Sequence, residues 1–297
     1  MNERFRLMEK EINKRISMTL EEQKKVMLEI LIKFAEFCDS NGLQYFLDAG
    51  TLLGAVRHKG YIPWDDDIDV NMPRKDFIRF CELIKEKNAV IGEHLTVDFP
   101  EDTIYPFLKI SDNRTVLVEF PNKYPMECGV YIDVFTKDGI KDLTFSSKIV
   151  CSISQFLKLC HWFSKFSVNA WEKSKSRIRR IISKLGKRFI KNPNCAIKLQ
   201  QKFIAWHNKR VPLDRCEYVT TLTNGEFHKC APKECFEDSV YLDFEGYKFK
   251  APVGYDRYLR CLYAEDYMKL PPEDKRVHHT TIVFWKSQKE KESFLGN

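Results

Sequence analysis

Residues 46 to 70 read Phe46-Leu-Asp-Ala-Gly-Thr-Leu-Leu-Gly-Ala-Val-Arg-His-Lys-Gly-Tyr-Ile-Pro-Trp-Asp-Asp-Asp-Ile-Asp-Val70. The apolar run before Asp48-Ala-Gly50 predicts a short strand that opens into a turn, with a helix beginning at Thr51. Further on, acidic and apolar residues alternate with the period of a strand, so Asp67 and Asp69 are expected on one face and Ile68 and Val70 in the core. The stretch therefore predicts a glycine turn beside a strand that carries two carboxylates.

These two features favour the same chemistry. A glycine turn at a helix N-terminus can bring N–H groups to phosphate oxygens, which makes Gly50 and Thr51 candidate phosphate contacts. Five acids lie between Asp65 and Asp76 and repel one another unless cations neutralise them. Hard oxygen ligands select Mg²⁺ or Mn²⁺ over zinc. The alternatives are an ordinary strand-to-helix turn and a solvated acidic turn that caps the next helix.

Three other residues are candidates for the same site. Arg57 lies between the two features and either clamps a diphosphate or is solvated, as we expect for its neighbours His58 and Lys59. Lys109 is on a predicted strand, where a half-buried lysine needs a reason, and a phosphate contact would supply one. Asp133 is a lone acid on the aromatic-flanked face of another predicted strand.

Elsewhere the periodicity indicates a mixed order of helices and strands. Helices are predicted at 20–41, 74–87 and 255–264, strands at 62–72, 105–110, 115–120 and 130–135, a hairpin at 241–249, and a helical region at 145–209. This order predicts an α+β fold with a mixed sheet core flanked by helices. We divide the chain into an N-terminal helical segment (1–42), a catalytic core (43–140), a helical, basic insertion (141–215) and a C-terminal part that completes the catalytic unit (216–297).

Composition narrows the class of protein. The chain has 297 residues, of which 43% are hydrophobic, enough for a substantial core. No signal segment and no run of about 18 uncharged apolar residues is evident, so we expect a cytoplasmic protein. Ten cysteines without matched pairs are expected as free thiols, and Cys230 and Cys235 with His228 are too few for a zinc site.

The positive charge is concentrated in one segment. Residues 173–191 carry nine Lys or Arg and no acid, so the rest of the chain sums to 7 − 9 = −2, and no nucleic-acid partner is implied. Apolar residues form a stripe among these bases, as in interfacial helices. Either this helix docks on the anionic inner face of the membrane, making the protein peripheral there, or it packs on the catalytic domain with its bases solvated.

Four stretches of this sequence resemble the LicD family. The first is residues 45–70, and similarity resumes at Phe107-Leu-Lys-Ile-Ser-Asp112, at Tyr131-Ile-Asp-Val-Phe135 and over 255–279; only about 140–215 lacks family features. The resemblance implies a nucleotidyltransferase-type core, related to the fukutin-related proteins. In its pattern Ala49-Gly50-Thr51 is the glycine element, Asp67 and Asp69 are the paired acids and Asp133 is the third acid. The resemblance thus implies that these three aspartates are catalytic and bind the metal.

The reaction implied by this resemblance is attack of a sugar hydroxyl on the distal phosphorus of a CDP-alcohol, with CMP leaving. Asp67 and Asp69 would hold metal at the diphosphate, and Asp133 would be either a ligand or the base. The acceptor would be a glycan, lipid-linked if the protein docks on the membrane. The alcohol stays open: choline would favour an aromatic box, and glycerol or ribitol would favour polar groups. Tyr61, Trp64, Tyr124 and Tyr131 are the candidate aromatic residues.

Other functions share these acids. A nucleotidyltransferase would move a nucleoside monophosphate from an NTP and release pyrophosphate. A metal-dependent glycosyltransferase would use the acid pair to hold a sugar nucleotide, although such enzymes normally place a longer nucleotide-binding unit before the pair. A non-catalytic binding protein would have no need for all three aspartates.

Overall fold

The computed structural model describes residues 16–100, 103, 105–119, 126–162, 195–276 and 281–296. The basic segment 173–191 lies outside the described residues, as do Tyr124, His278 and His279. Within the described residues the chain forms a curled mixed sheet with helices around it, which confirms the predicted α+β class.

The strands are β1 (Ile16–Ser17), β2 (Phe46–Leu47), β3 (Asp69–Pro73), β4 (Leu95–Asp98), β5 (Leu108–Glu119), β6 (Met126–Ile140), β7 (Tyr218–Thr220), β8 (Ala231–Pro232), β9 (Ser239–Phe244), β10 (Tyr247–Pro252) and β11 (Thr281–Trp285). The main sheet has the order β1-β11-β5-β6-β3-β2, with β4 added to β5 and the β7–β8 pair added to β6. Among the described strands of this sheet, β3 and β6 are the only parallel pair, and their register sets Asp69 beside Asp133.

The helices are α1 (Leu20–Ser40), α2 (Ala49–His58), α3 (Arg74–Lys85), α4 (Phe145–Trp162), α5 (Cys195–Arg210), α6 (Tyr255–Tyr263) and α7 (Gln288–Leu295). Helix α1 confirms the prediction for 20–41 and begins at a capping box between Thr19 and Glu22. The five apolar residues that predicted it (Met27, Ile30, Leu31, Phe34 and Cys38) are all buried in the main core.

Strand β6 confirms the predicted division of faces. Val130, Ile132 and Val134 are fully buried on the core side, and Asp133 alternates with them on the other side. The two strands predicted at 105–110 and 115–120 are in fact one strand, β5, whose pairing with β6 shifts register between Asp112 and Leu117. At this irregularity a Cβ atom on Gly129 would overlap the carbonyl oxygen of Asp112, so the two strands approach too closely for any other residue.

The strand predicted from Ile62 begins only at Asp69. Pro63 has no N–H to donate to a ladder, and the Asp65 N–H bonds to the Ile62 carbonyl at 2.9 Å to form a turn. Asp67 therefore lies in the loop that enters β3 rather than on the strand.

The predicted hairpin at 241–249 is confirmed as β9 and β10. Its turn residues Glu245 and Gly246 both have positive φ (52° and 82°), as a two-residue hairpin turn requires. The Glu245 side chain accepts from the Tyr61 N–H at 3.0 Å, and its own N–H donates to the Lys59 carbonyl at 3.0 Å. The hairpin thereby fixes the loop that follows α2.

Helices α4 and α5 are joined to the sheet by a second, smaller core and by a buried carboxylate. The small core contains Ile140, Cys151, Ile204, Leu222 and Cys230. Asp138 is fully buried and accepts from Arg74 on α3 at 2.7 and 2.9 Å and from Asn208 on α5 at 2.7 Å. One carboxylate therefore fastens two helices to β6. Within the described residues no helix has the length and apolarity needed to cross a membrane.

Asp138→Ala should lower the free energy of unfolding by about 3 kcal/mol, because it leaves the Arg74 guanidinium without its main partner. Urea denaturation followed by circular dichroism measures this. Asp243→Ala is the matched control: its ion pair with Lys248 at 2.9 Å is exposed, and its loss should leave the denaturation midpoint close to that of the wild type. Equal losses for the two variants would contradict the role given to Asp138.

Candidate functional site

Asp48 holds the glycine turn in place. Asp48 is the N-cap of α2 and accepts from the Ala49 N–H at 2.9 Å, while Ala49 takes a positive φ of 43°. The Asp48 N–H donates to the Asp69 carbonyl at 2.9 Å, and the Thr51 hydroxyl accepts from the Asp69 N–H at 2.8 Å. The start of α2 and the start of β3 are thus bonded to each other at the position of Asp69.

Gly50 is required by the close approach of an aspartate. A Cβ atom at Gly50 would lie 2.5 Å from Oδ2 of Asp65. The predicted helix begins two residues earlier than Thr51, so Gly50 and Thr51 both belong to its first turn, where backbone N–H groups have no intrahelical acceptor. The Thr51 hydroxyl itself is engaged with β3, so the first turn can offer its backbone to an anion.

A pocket of about 740 Å³ opens in front of this turn, and we call it the large pocket. Gly50, Arg57, Asp67 and Asp69 all line it, so four of the predicted site residues face one space. The rest of its wall comes chiefly from Trp64, from Tyr263 at the end of α6 and from residues 266–272. Three aromatic side chains line it: Trp64, Tyr263 and Tyr267. Of the other aromatic candidates, Tyr61 bonds through its hydroxyl to the Lys24 carbonyl at 2.8 Å.

The carboxyl group of Asp69 lies in an unfavourable electrostatic environment. Burial raises the pKa of its carboxyl well above the ordinary value, and the negative charges of Asp67, Asp133, Asp48 and Asp65 raise it further. The ionised form of the Asp69 carboxyl is therefore disfavoured unless a positive charge lies close to it. A divalent cation would supply that charge.

The donor set fits a Mg²⁺ or Mn²⁺ ion that is shared with a substrate. Within the described residues no group of three or more His, Cys, Asp or Glu side chains forms a ready-made cage. Mg²⁺, however, is commonly bound by one or two carboxylates together with substrate phosphates, and Asp67 and Asp69 face the same pocket. These two residues would hold the cation, and it would neutralise charge on a bound phosphate.

Asp133 lies next to Asp69 in the sheet, but it also has a basic partner. Lys109 is directly opposite on β5, and its Nζ donates to Asp133 Oδ1 at 2.8 Å. The Lys109 ammonium is buried among the rings of Tyr131, Tyr105 and Phe107, at 3.1, 4.1 and 5.3 Å from their centroids. The structure thus gives this lysine a reason for burial other than phosphate. Lys109 is not among the residues that line the large pocket, and its phosphate contact stays a prediction.

Arg57 holds one wall of the large pocket in place. One of its terminal nitrogens donates to the carbonyl of Tyr267 at 3.0 Å and more weakly to that of Lys269 at 3.4 Å, and its Nε donates to His58 at 2.9 Å. Burial and the neighbouring Arg57 charge lower the pKa of His58. Arg57 therefore connects the end of α2 to the 266–272 segment, whether or not it also contacts a diphosphate.

Sequence reasoning missed a buried network beneath the glycine turn. Lys137 Nζ donates to Asp48 Oδ2 at 3.1 Å, to Thr221 Oγ1 at 3.2 Å and to the Tyr258 hydroxyl at 2.5 Å, and Tyr258 in turn donates to Asp48. Continuing the period of two along β6 beyond Phe135 would have found Lys137 on the same face as Asp133. No local signal points to Asp48 or Tyr258.

The cysteines form no metal site among the described residues. All ten are free thiols, as predicted, and Cys230 and Cys235 are buried while His228 is exposed.

Comparison with known proteins gives one family. The family model "LicD/FKTN/FKRP, nucleotidyltransferase domain" matches residues 42–99, which span β2, α2, β3 and their acids. "Lipopolysaccharide cholinephosphotransferase LicD" of Haemophilus influenzae is 33% identical over 273 residues, covering 88% of this chain and 96% of that protein. "Ribitol 5-phosphate transferase FKRP" of Homo sapiens is 39% identical over 57 residues, 18% of this chain and 11% of that protein. "Mannosyltransferase regulator 4" of Saccharomyces cerevisiae is 28% identical over 109 residues, 34% of this chain and 9% of that protein. The similarity to the bacterial relative runs through nearly the whole of both proteins, and the chain therefore belongs to the LicD family.

Proposed function

We propose that this protein is a Mg²⁺- or Mn²⁺-dependent phosphotransferase that moves phosphocholine from CDP-choline to a hydroxyl of a cell-surface glycan precursor, with CMP as the leaving group. As a LicD-family member it is a transferase of phosphate-containing groups. Glycerol phosphate and ribitol phosphate, carried on the corresponding CDP-alcohols, are the alternative groups.

The observation that carries this proposal is the large pocket. Its volume of about 740 Å³ lies in the range of about 300–1,000 Å³ that is usual for small-molecule sites. Asp67, Asp69 and residues of the first turn of α2 line it, which supports the proposal because carboxylates can hold a cation and the N–H groups of a helix N-terminus can hold a phosphate. Such an arrangement suits a bound diphosphate.

Two features favour choline as the transferred alcohol. The relative that matches over nearly its whole length is named a cholinephosphotransferase. The large pocket is also lined by Trp64, Tyr263 and Tyr267, and aromatic faces attract quaternary ammonium groups. Arginine side chains already lie over two of these rings, Trp64 (Arg276, 4.9 Å) and Tyr267 (Arg260, 5.8 Å), so we expect Tyr263 to meet the ammonium group. A polyol would instead bond to polar side chains of this pocket, such as Asp266 and Lys269.

In the proposed reaction the acceptor oxygen forms a bond to the distal phosphorus while the bond from that phosphorus to the CMP oxygen breaks. The hydroxyl proton passes to a carboxylate of the set formed by Asp67, Asp69 and Asp133. Phosphoryl transfer of this kind needs chiefly positioning and neutralisation of charge. The cation supplies charge neutralisation when bound. The chain supplies the carboxylates, the α2 N–H groups and the wall held by Arg57.

The decisive measurement is the product formed from a panel of donors. With Mg²⁺ present, CDP-choline should yield CMP at a higher kcat/KM than CDP-glycerol or CDP-ribitol. Chromatography of the nucleotides measures the CMP that is released. Chelation with EDTA should stop the reaction. Pyrophosphate release from an NTP, with no CMP from any CDP-alcohol, would replace this proposal with the nucleotidyltransferase alternative. Transfer of a sugar from a sugar nucleotide would favour the glycosyltransferase.

Asn substitutions at Asp67 and at Asp69 should each lower kcat for CMP release by about 10²–10³-fold, the scale of losing one charge-stabilising group. Asp133→Asn should also lower it, since this residue completes the carboxylate set. Asp243→Asn, an exposed aspartate on the β9–β10 hairpin, is the matched control and should retain the wild-type rate. Near-wild-type turnover in Asp69→Asn would remove Asp69 from the reaction.

The raised pKa of Asp69 predicts a pH-dependent cost in the cation-free protein. A carboxyl with a folded-state pKa above its unfolded value binds its proton more tightly when folded, so stability is lost as the pH rises from the ordinary carboxyl pKa through the raised one. In EDTA at neutral pH, Asp69→Asn should therefore have a higher Tm than the wild type. Scanning calorimetry checks this. A lower Tm for the variant than for wild type in EDTA would show that the Asp69 charge is not a cost.

A further inference from the structure

A second pocket adjoins the large one at Asp69. This small pocket has a volume of about 220 Å³ and shares only Ala49 and Asp69 with the large pocket. Its other lining residues are Asp48, Phe135, Lys137, Thr220, Thr221, Asn224, Glu226, Lys229, Tyr258 and Leu262. The carboxylate of the predicted reaction centre is thus part of the boundary between two spaces.

The two pockets differ in chemistry. The open side of the small pocket is formed by the segment Thr221–Lys229, in which Thr221, Asn224, Glu226 and Lys229 are half-buried polar side chains. Its floor is the buried network of Lys137, Asp48 and Tyr258. Hydroxyl, amide, carboxylate and ammonium groups that lie close together in the small pocket suit a ligand with many hydroxyls. The volume of the small pocket is below that of sites for drug-sized ligands.

The geometry of phosphoryl transfer suggests why two pockets meet at Asp69. The attacking and leaving oxygens lie roughly in line on opposite sides of the phosphorus. A phosphorus held near Asp69, with CMP leaving through the large pocket, must be attacked from the far side. The small pocket reaches Asp69 through a different set of residues from the large pocket, with only Ala49 and Asp69 in common, and so offers a separate approach to that phosphorus.

We propose that the small pocket is the acceptor subsite, where the sugar ring that bears the attacking hydroxyl binds. This inference rests on the proposed function, which assigns the large pocket to the CDP-alcohol. Thr221 Oγ1 already accepts from Lys137 at 3.2 Å and keeps its own O–H to donate. Asn224 and Lys229 supply amide and ammonium groups, and Glu226, paired with Lys229 at 3.0 Å, supplies an acceptor.

The wall of this subsite is fixed in advance by α4 and α5. Ser154 on α4 donates to the Leu222 carbonyl at 2.6 Å, and Lys158 donates to Asn224 at 2.8 Å. Gln200 on α5 donates to the Thr223 carbonyl at 3.0 Å. A wall bonded in this way loses little freedom when a sugar binds, which favours affinity.

Gly225 completes this wall. Its φ is +65°, and a Cβ atom there would lie 2.5 Å from the Gln155 N and 2.6 Å from the Cys151 carbonyl oxygen. The turn therefore rests directly on the backbone of α4.

The test uses the full chain with two readouts. Saturation-transfer NMR measures binding of the methyl glycosides of glucose, galactose and N-acetylgalactosamine, with and without saturating CMP. In turnover with CDP-choline, mass spectrometry measures the ratio of sugar phosphocholine to free phosphocholine. Asn224→Leu and Thr221→Val should raise the KM for the bound glycoside by about tenfold or more, as expected when a site loses a hydrogen bond to its substrate, and should shift the product ratio toward hydrolysis.

Lys229→Ala is a third test variant of the subsite, and Lys248→Ala is its matched control. Both lysines are in ion pairs, at 3.0 and 2.9 Å, but Lys248 is on the β9–β10 hairpin and lines neither pocket. Only Lys229→Ala should change the sugar KM, and a Tm near wild type for both shows that folding is intact.

Three results would overturn the subsite: no glycoside binds, CMP displaces the glycoside, or the variants leave its KM unchanged. If no CDP-alcohol yields CMP while a glycoside binds beside CMP and loses affinity in Asn224→Leu, the proposed function fails and the sugar site stands.

Discussion

The whole site depends on one buried ion pair, between Asp48 and Lys137. Asp48 caps α2, donates to the Asp69 carbonyl, and is joined by Lys137 to β6 and by Tyr258 to α6. Both side chains are nearly inaccessible, at 6% and 7% exposure, so neither charge can be relieved by water if its partner is lost. Breaking such a pair commonly costs about 3–5 kcal/mol. The glycine turn, the aspartate strand and the small pocket therefore share a single electrostatic support.

The same site contains a charge arrangement that opposes folding. Asp69 is surrounded by four other carboxylates that raise its pKa, and lysines are bonded to two of these, Asp48 and Asp133. A cluster of like charges is tolerated where function requires it and the surrounding structure holds it in place. Here the sheet register supplies that constraint, because Asp69 and Asp133 are fixed side by side on parallel strands. Asp67 and Asp69 both line the large pocket, so a cation that enters with the substrate would meet both carboxylates.

Local patterns in the sequence were sufficient to predict most helices and strands and the face of β6 that carries Asp133. The spacing of Met27 to Cys38 predicted α1, and alternation along 130–135 predicted which side of β6 carries Asp133. Two strand boundaries were wrong, because Pro63 and the turn at Asp65 end the extended pattern before Asp69 and because a bulge lets β5 continue through a polar stretch. The network of Asp48, Lys137 and Tyr258 joins residues 89 and 121 positions apart, and no periodicity encodes such contacts. The Lys109–Asp133 pair likewise needs the strand register, which single-sequence patterns do not give.

The position of Gly225 against α4 has an evolutionary consequence. Helices α4 and α5 carry the turn that borders the small pocket, although they lie outside residues 42–99, which the family model matches. A change of side chain or a slight tilt in α4 would reshape that border while leaving the aspartates, the glycine turn and their ion pair untouched. If the small pocket binds the acceptor as proposed, changes in these two supporting helices would alter glycan preference without any change in the carboxylates.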